Sequence, residues 1–443
     1  MLLYLRNGIS DGETLASLTV WPSRLSGRIS APPSKSYTHR AFIIAALARG
    51  ESRIKGPLLS LDTKATIEAV KRIGARVRRE GDVWKVTGTG GKIVPRETVI
   101  DVMNSGTTIR LMGAVAALSP NPVRLTGDSS ILQRPMGPLV QALSSLGANA
   151  RCEGKNGRPP VVVHGGLRGG EVEITGSVSS QFISALLIAG PLAEDDVSIR
   201  ITGEARSRPY IEMTLKLLEL AGVRIRHDSG LKRFRIEAGQ VPEPIEMEIP
   251  GDFSSAAFPL GAAALTDSCV TVENLDMEMP QGDRRIVYLL EDFGAGVSIE
   301  KRSVTVGGCE ALNAVEVDCG DNPDLVPILA VLGSVADGHT LLTNVPHLRF
   351  KETDRLKALA LGLGRFGADI RELREGLRIH GVRGLRGTRV RSFGDHRMAM
   401  AFAVAGLRAE GKTVVEEAES IPVSYPGFVD DMKRLGAKME MTG

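Results

Sequence analysis

Apolar and polar positions along the chain follow a pattern that returns six times. A glycine lies between an amphipathic helical stretch and a short strand-like alternation at six places, 69 to 75 residues apart: Gly74, Gly147, Gly222, Gly294, Gly367 and Gly436. Glycine after a helix typically adopts the left-handed conformation that ends it, and the alternation indicates a strand. The even spacing predicts six copies of one structural unit.

A second helical stretch recurs earlier in each copy, and it is apolar on nearly every side. The six stretches cover 36–50, 106–118, 180–193, 253–265, 324–336 and 395–407. A helix that is apolar all round is expected to be buried. Each unit is therefore predicted to contain a buried helix, a strand, a loop, an amphipathic helix and one or two strands. An open solenoid is the alternative architecture, but the apolar helices favour closed clusters with the helices inside.

Polar residues precede both helices of each unit, and they differ from copy to copy. Ahead of the buried helices stand Ser34, Lys35, Ser36, Arg40, Asn104, Gly106, Arg110, Ser179, Ser180, Gln181, Asp252, Asn322, Asp324, Asp395, His396 and Arg397. Ahead of the second helices stand Asp62, Gln133, Arg134, Ser207, Arg208, Tyr210, the stretch 281–285 and the stretch 351–355. Helix N-termini and arginine forks suit phosphates and carboxylates. Converging N-termini would form one anion-binding cleft.

Each of these features also has a simple structural explanation. Serine before a helix is an ordinary N-cap, Asp395 can cap its helix, and His396 can be a buried structural histidine. The charged stretch 351–355 can be a solvated first helical turn. These explanations do not account for polar residues at matching places in successive copies. A single asymmetric site explains both the placement and the differences.

The composition of the chain restricts the classes of protein to which it can belong. A length of 443 residues suggests two or three domains, and a net charge of +3 means that any anion-binding region is local. Cys152, Cys269, Cys309 and Cys319 are scattered without metal-ligand spacing, which is typical of reduced intracellular thiols. Neither a signal-peptide pattern nor a run of eighteen apolar residues occurs. We therefore expect a cytoplasmic protein.

Eight motifs occur in an order that resembles a known family. They are PPSKSYTHR, NSGTTIR, QRPMGPLVQAL, SSQFISALL, RPYIEMT, PGDFSSAAF, FKETDRL and GDHRMAMAF, and the resemblance extends from about residue 20 to about residue 430. Together they are similar to the 5-enolpyruvylshikimate-3-phosphate synthases, the enolpyruvyl transferases of the shikimate pathway in aromatic amino acid biosynthesis.

The resemblance implies an α/β fold, a two-domain inside-out α/β barrel with three βαβαββ repeats per domain and buried helices. It implies one discontinuous domain of 1–33 plus 250–443, an inserted domain of 34–249, and an active site in the cleft between them. The expected reaction joins phosphoenolpyruvate to the 5-hydroxyl of shikimate 3-phosphate and releases phosphate through a tetrahedral intermediate. We expect the domains to close on binding.

The resemblance also implies roles for individual residues. Asp324 would take the hydroxyl proton, Glu352 would protonate and deprotonate the methylene carbon, and Lys35 would touch both substrates. The implied shikimate 3-phosphate ligands are Lys35, Ser36, Arg40, Ser179, Ser180, Gln181, Ser207, Tyr210, Asp324 and Lys351. The implied phosphoenolpyruvate ligands are Lys35, Asn104, Gly106, Arg134, Gln181, Arg355 and Arg397. No cofactor, metal, nucleic acid or membrane is implied, and we expect a monomer acting on the two small molecules.

The sequence departs from the family's pattern at two places. Val423 stands where the family usually has a lysine that touches phosphoenolpyruvate, and His347 stands where some members have an asparagine. Three other functions remain as alternatives. They are a UDP-N-acetylglucosamine enolpyruvyl transferase, a non-catalytic repeat scaffold, and an RNA-binding protein similar to the RNA-phosphate cyclases. The first would be expected to carry a reactive cysteine in the loop GDSSILQRPM, which has none.

Overall fold

The computed structural model describes residues 16–176, 178–204, 206–308 and 310–443. Cys309 lies outside them, and Cys152, Cys269 and Cys319 form no disulfide within the described chain. None of the helices found in these residues is long and apolar enough to cross a membrane.

Helices and strands alternate along the whole described chain. The α-helices found there are α1 (Lys35–Leu47), α2 (Leu61–Arg72), α3 (Gly106–Ala117), α4 (Gly137–Ser145), α5 (Ser180–Ala189), α6 (Arg208–Leu220), α7 (Phe253–Leu265), α8 (Ile286–Asp292), α9 (Val326–Gly333), α10 (Arg355–Arg365), α11 (His396–Arg408) and α12 (Phe428–Arg434). The first strands are β1 (Ser17–Trp21), β2 (Ser26–Ser30), β3 (Glu51–Lys55), β4 (Arg76–Glu80), β5 (Val83–Thr87), β6 (Val99–Asp101), β7 (Val123–Thr126), β8 (Asn149–Gly154), β9 (Arg158–His164), β10 (Gly170–Thr175), β11 (Val197–Thr202) and β12 (Ile225–His227). The remaining strands are β13 (Arg233–Ile236), β14 (Glu246–Glu248), β15 (Cys269–Glu273), β16 (Gly296–Glu300), β17 (Ser303–Gly307), β18 (Glu316–Asp318), β19 (His339–Thr343), β20 (Asp369–Leu373), β21 (Gly376–His380), β22 (Arg389–Arg391), β23 (Thr413–Glu416) and β24 (Lys438–Thr442).

The strands of the described residues form six four-stranded sheets, one for each predicted unit. In the second unit, β6 and β7 are parallel, whereas β9 pairs antiparallel with both β7 and β8. The six repeated glycines all have positive φ, from 74° at Gly222 to 116° at Gly74, where a side chain would be strained. The predicted repeat and its glycine helix ends are therefore confirmed.

The apolar helices lie inside, as their composition predicts. Every residue of α7 is buried, and α1 is buried from Tyr37 to Leu47. Within one group α3 packs against α1 and α5, and within the other α7, α9 and α11 pack against one another. Small side chains such as the alanines of α7 allow this close approach. The predicted α/β fold with buried helices is confirmed.

Three of the described strands pair with distant stretches of the chain, and the first of them, β1, lies between β23 and β24. The early strand β2 is parallel to β15, with Ile29 opposite Val272, and the later strand β14 is parallel to β3, with Met247 opposite Ile54. The buried apolar residues likewise form two clusters. The first cluster combines residues from 18–31 and 253–439, and the second lies within 37–249. We propose that these clusters are the cores of two domains divided near residues 33 and 250.

Candidate active site

The N-terminal ends of helices from both clusters surround one polar cavity. Its lining residues are Lys35, Ser36, Asp62, Gly106, Thr107, Arg110, Arg134, Pro135, Val178, Ser179, Ser180, Gln181, Ser207, Tyr210, Asp252, Ser254, Asp324, His347, Phe350, Lys351, Glu352, Arg355, His396, Arg397 and Ser424. Lysine and arginine outnumber aspartate and glutamate in this set by six to four. The cavity is thus locally cationic although the chain is nearly neutral overall.

The start of α1 joins the two clusters through a shared carboxylate. The backbone N–H of Lys35 donates to Oδ2 of Asp252 over 3.0 Å, and Oδ1 of Asp252 accepts from the N–H of Ser255 at the start of α7. Nζ of Lys35 lies 3.0 Å from Oδ2 of Asp62, at the start of α2. Burial raises the pKa of Asp62, and Lys35 opposes that shift. Three helix starts are thereby fixed around Lys35.

The guanidinium of Arg134 packs closely against the backbone of Gly106 at the start of α3. A Cβ added at Gly106 would overlap Nη1 of Arg134, so the guanidinium fits there because the side chain is missing. Nη2 of Arg134 lies 3.6 Å from Oε1 of Glu352 and donates to Oγ of Ser130 over 3.3 Å. This arginine consequently reaches from the second cluster to a carboxylate of the first.

Gln181 lies between two polar groups of α3. Nη1 of Arg110 donates to Oε1 of Gln181 over 2.7 Å, and Nε2 of Gln181 donates to Oγ1 of Thr107 over 2.9 Å. Burial, together with Arg134, lowers the pKa of Arg110 to about 9. These two bonds fix the orientation of the Gln181 amide at the cavity wall.

Arg355 is the buried cation that links the carboxylates of the site. Its Nη1 lies 2.8 Å from Oδ1 of Asp324, and its Nη2 lies 2.9 Å from Oε2 of Glu352. Its Nε lies 2.7 Å from Oδ2 of Asp395, which caps α11. The side chain is 2% exposed, so solvent screens these contacts weakly. Asp324 and Glu352 are consequently held apart on two nitrogens of one guanidinium.

A second arginine and a tyrosine complete the surroundings of Asp324. Nη2 of Arg397 lies 3.2 Å from Oδ2 of Asp324, and the hydroxyl of Tyr210 donates to the same oxygen over 3.1 Å. Burial alone would raise the pKa of Asp324, but Arg397, Lys351 and Arg355 hold it well below its usual range. Both oxygens of this carboxylate are therefore occupied, and the group is ionised.

Glu352 is ionised for the same reason. Its burial would raise its pKa, but Arg355 and Arg134 outweigh that effect and hold the pKa well below its usual range. Burial lowers the pKa of the neighbouring Lys351, although Asp324 opposes the shift. Any ligand that draws the two arginines away from Glu352 would make its carboxylate easier to protonate.

The structure brings most of the predicted site residues to this cavity. Those in its wall are Lys35, Ser36, Gly106, Arg134, Ser179, Ser180, Gln181, Ser207, Tyr210, Asp324, Lys351, Glu352, Arg355 and Arg397. Arg40 and Asn104 are not part of the wall formed by the described residues. Arg40 is 1% exposed, and its guanidinium donates to Oγ1 of Thr214 and to the carbonyl of Ser36. Oδ1 of Asn104 is buried and has no hydrogen-bond partner among the described residues.

Of the two residues that depart from the family pattern, one belongs to the cavity wall and the other does not. His347 lies in the cavity wall, and neither of its ring nitrogens has a hydrogen-bond partner within the described ranges. Burial, together with Lys351, lowers its pKa to about 3, so the ring is neutral. Val423 is buried and is not part of the wall, but the next residue, Ser424, is.

Sequence reasoning missed Thr107, Ser254 and Ser424 as wall residues. Thr107 and Ser254 each follow a residue that the repeat pattern singled out, by one and by two positions, so helix geometry could have suggested them. Ser424 follows a short 3-10 helix, Ala418–Val423, which no periodic pattern marks. No group of three or more His, Cys, Asp and Glu side chains arranged for a metal ion occurs in the described chain.

Comparisons with known proteins agree with one another. The family model described as EPSP synthase (3-phosphoshikimate 1-carboxyvinyltransferase) matches residues 21–432. A 3-phosphoshikimate 1-carboxyvinyltransferase of Methanocella arvoryzae is 48% identical over 417 residues, which are 94% of this chain and 97% of that protein. The protein of the same name from Methanothrix thermoacetophila is 50% identical over 424 residues, 95% of this chain and 99% of its own. The solved EPSP synthase of Acinetobacter baumannii superposes with a TM-score of 0.81 at 26% identity, covering 97% of this chain and 100% of that chain.

Proposed function

The chain belongs to the EPSP synthase family, and from this membership we propose that it transfers the enolpyruvyl group of phosphoenolpyruvate to the 5-hydroxyl of shikimate 3-phosphate. Phosphate is the second product. The observation that carries the proposal is the arrangement around Arg355, which holds Asp324 and Glu352 apart within a ring of cations. The relatives' shared name supports this acceptor over UDP-N-acetylglucosamine.

The excess of cations suits the charge of the two substrates. Each substrate carries a phosphate and a carboxylate, so together they bring four anionic groups into the cavity. One opposite-charge pair at 4 Å contributes about 4 kcal/mol at an effective dielectric near 20. Arg134, Arg355 and Arg397 would bind phosphoenolpyruvate, and Ser179, Ser180 and Ser207 would bind the shikimate phosphate.

The two carboxylates divide the proton transfers of the addition step. Asp324 takes the proton of the 5-hydroxyl while that oxygen bonds to C2 of phosphoenolpyruvate. Glu352 delivers a proton to C3, which turns the methylene into a methyl group and gives the tetrahedral adduct. Elimination breaks the bond from C2 to the phosphate oxygen, returns a proton from C3 to Glu352, and leaves the proton held by Asp324 to the released phosphate. Lys35 and the arginines stabilise the leaving phosphate.

The binding of two anions is what makes Glu352 a usable acid. In the free protein Arg355 and Arg134 hold its pKa low. Substrate anions that take hydrogen bonds from these arginines compete with Glu352 for the same cations, so its pKa rises on binding. The proposal needs no cofactor, nucleic acid or membrane, and it treats the chain as a cytoplasmic monomer.

Phosphate release tests the proposal directly. The chain is incubated with shikimate 3-phosphate and phosphoenolpyruvate, and phosphate is followed over time. We expect release that depends on both substrates and that is absent when UDP-N-acetylglucosamine replaces shikimate 3-phosphate. The absence of release at micromolar enzyme concentration with both substrates would overturn the proposed function.

A further inference from the structure

Ser424 presents a buried hydroxyl to the cavity. The residue is 2% exposed and belongs to the cavity wall. Its backbone is fixed, because its N–H donates to the carbonyl of Ile421 over 3.3 Å. Its Oγ has no hydrogen-bond partner in the residues that the structure covers. A buried hydroxyl without a partner is costly, and it persists where a ligand completes its hydrogen bonds.

The 3-10 helix before Ser424 packs against helices from both clusters. The 3-10 helix Ala418–Val423 contacts α11, which begins at His396 and Arg397, and also contacts α2, whose first turn carries Asp62. The charge of Asp62 is paired with Lys35. Nε2 of His396 is likewise buried and without a partner in the described chain. Ser424 thus follows a segment that packs on the helix carrying His396 and Arg397.

The same placement separates Ser424 from the serines of the second cluster. Ser179 and Ser180 belong to the start of α5, and Ser207 directly precedes α6, whereas Ser424 follows a segment packed on α11. The first turn of α11 carries Arg397, whose Nη2 contacts Asp324. Ser424 and Arg397 both belong to the cavity wall, and the segment before Ser424 packs on the helix that carries Arg397.

We propose that Ser424 is a phosphoenolpyruvate-binding residue that donates its hydroxyl hydrogen to an anionic oxygen of that substrate. This inference rests on the proposed function. It also offers a physical account of Val423: its buried side chain leaves no cation at that position, and the adjacent hydroxyl supplies a neutral donor instead. The orphaned hydroxyl, its burial and its place in the wall carry the inference.

The test compares Ser424→Ala with Ser420→Ala. Ser420 belongs to the 3-10 helix that precedes Ser424 and is also buried, but its hydroxyl already donates to the carbonyl of Glu417 over 3.0 Å. We expect Ser424→Ala to raise KM for phosphoenolpyruvate about tenfold, with KM for shikimate 3-phosphate and kcat changed less than about twofold. Ser424→Thr, which keeps the hydroxyl, should restore most of the affinity.

Thermal unfolding without ligands separates binding from structure. Ser424→Ala removes a hydroxyl that has no partner among the described residues, so its Tm should stay the same or rise, whereas Ser420→Ala breaks a formed bond and should lower Tm. An unchanged KM for phosphoenolpyruvate in Ser424→Ala would overturn the inference. Equal increases in both KM values, or a lowered Tm that accounts for the loss, would overturn it too.

The wild-type protein distinguishes a failure of this inference from a failure of the proposed function. If the wild type releases no phosphate from the two substrates, the proposed function is wrong. If the wild type turns over normally and Ser424→Ala has the same KM for phosphoenolpyruvate, the function stands and only the role of Ser424 is wrong.

Discussion

Glu352 and Asp324 contact two nitrogens of the Arg355 guanidinium, and the proposed mechanism gives each a different proton transfer. Glu352→Gln keeps an oxygen that can accept from Nη2 of Arg355 but removes the acidic proton. We expect kcat to fall by about 10³-fold, in line with the loss of a general acid–base group, while both substrates still bind within about threefold of the wild-type affinity. Steady-state phosphate release and calorimetric titration measure the two quantities.

Glu372→Gln is the matched control for this variant. Glu372 pairs with Arg349 at the surface, outside the cavity wall. The kcat of Glu372→Gln should remain within about twofold of the wild type, since ion pairs at the surface contribute little free energy. Normal turnover by Glu352→Gln would contradict the assigned acid–base role.

Asp283 gives the protein a pH-dependent stability. Burial, together with the charge of Asp324, raises the pKa of Asp283 to about 7, and Ser254 donates a hydrogen bond to its carboxyl. Between about pH 4 and pH 7 the folded protein therefore keeps a proton that the unfolded chain has already released. The free energy of unfolding contributed by this group falls as the pH rises through that window.

Asp283→Asn should remove this dependence. The asparagine oxygen can still accept from Ser254, but it carries no charge to bury. As the pH rises from 5 to 8, the free energy of unfolding of the variant should increase relative to that of the wild type, by an amount on the order of a few kcal/mol. Urea unfolding at pH 5, 6, 7 and 8 measures the difference. Parallel stability curves for the two proteins would show that Asp283 does not titrate in this range.

Individual residues of the site differ in whether the sequence alone could predict them. Lys35, Asp324 and Glu352 could be predicted because each belongs to a motif at a helix start. Arg40 belongs to the same motif as Ser36 but lies one helical turn later on α1, and that turn directs it between α1, α5 and α6. Ser424 could not be predicted, because its significance depends on an unpaired hydroxyl that only the tertiary structure reveals.

At the scale of the element, the start of α3 depends on the absence of a side chain at Gly106. Gly106→Ala would drive a methyl group into Nη1 of Arg134 and displace that guanidinium from the cavity. We expect KM for phosphoenolpyruvate to rise roughly tenfold to a hundredfold, because small displacements of a positioning group cost that much. KM for shikimate 3-phosphate should change much less.

Gly113 on the same helix provides the control. A Cβ there would meet Leu139 and Met136 at 3.6 Å, an ordinary contact. Gly113→Ala should therefore leave both KM values within about twofold and should improve helix propensity slightly. If Gly106→Ala and Gly113→Ala had the same kinetics, the close packing of Arg134 on α3 would not matter for binding.

The charged stretch 351–355 illustrates what could and could not be predicted about elements. The sequence predicts this stretch just ahead of a helix, with a solvated first helical turn as the alternative, and α10 begins at its last residue, Arg355. Asp354 caps it by accepting from the N–H of Lys357 over 3.2 Å. Lys351 and Glu352 consequently belong to the preceding loop, free of helical geometry, which lets them point into the cavity. The helices themselves were predictable from period, but such boundaries depend on capping.

At the scale of the whole molecule, an ion pair connects the two clusters beside the cavity. Nη2 and Nε of Arg208, on α6, lie 2.6 and 2.9 Å from Oδ2 of Asp321, and the backbone N–H of Arg208 donates to Oδ1 over 3.0 Å. Arg208 lies two positions before Tyr210, and Asp321 lies three positions before Asp324, and both of these residues belong to the cavity wall. The pair should therefore favour a closed arrangement of the two clusters.

Arg208→Ala should weaken that arrangement without touching the reacting groups. We expect a larger radius of gyration for the ligand-free protein by small-angle scattering and a rise of about two- to fivefold in both KM values, with kcat nearly unchanged. Arg226→Ala is the control, because Arg226 pairs with Glu237 within one sheet. A scattering curve identical to that of the wild type would contradict a role in closure.

Because β2 pairs with β15 and β14 pairs with β3, the two clusters must fold in a fixed order during synthesis. β2 emerges early from the ribosome, but its partner β15 follows only after residues 37–249 have been made. The buried residues of the second cluster end at Ile249, just after β14, so most of its core can form while the chain is still growing. Residues 17–30 must wait beside it with their strands unpaired. β1 waits longer still, for β23 and β24 at the end of the chain.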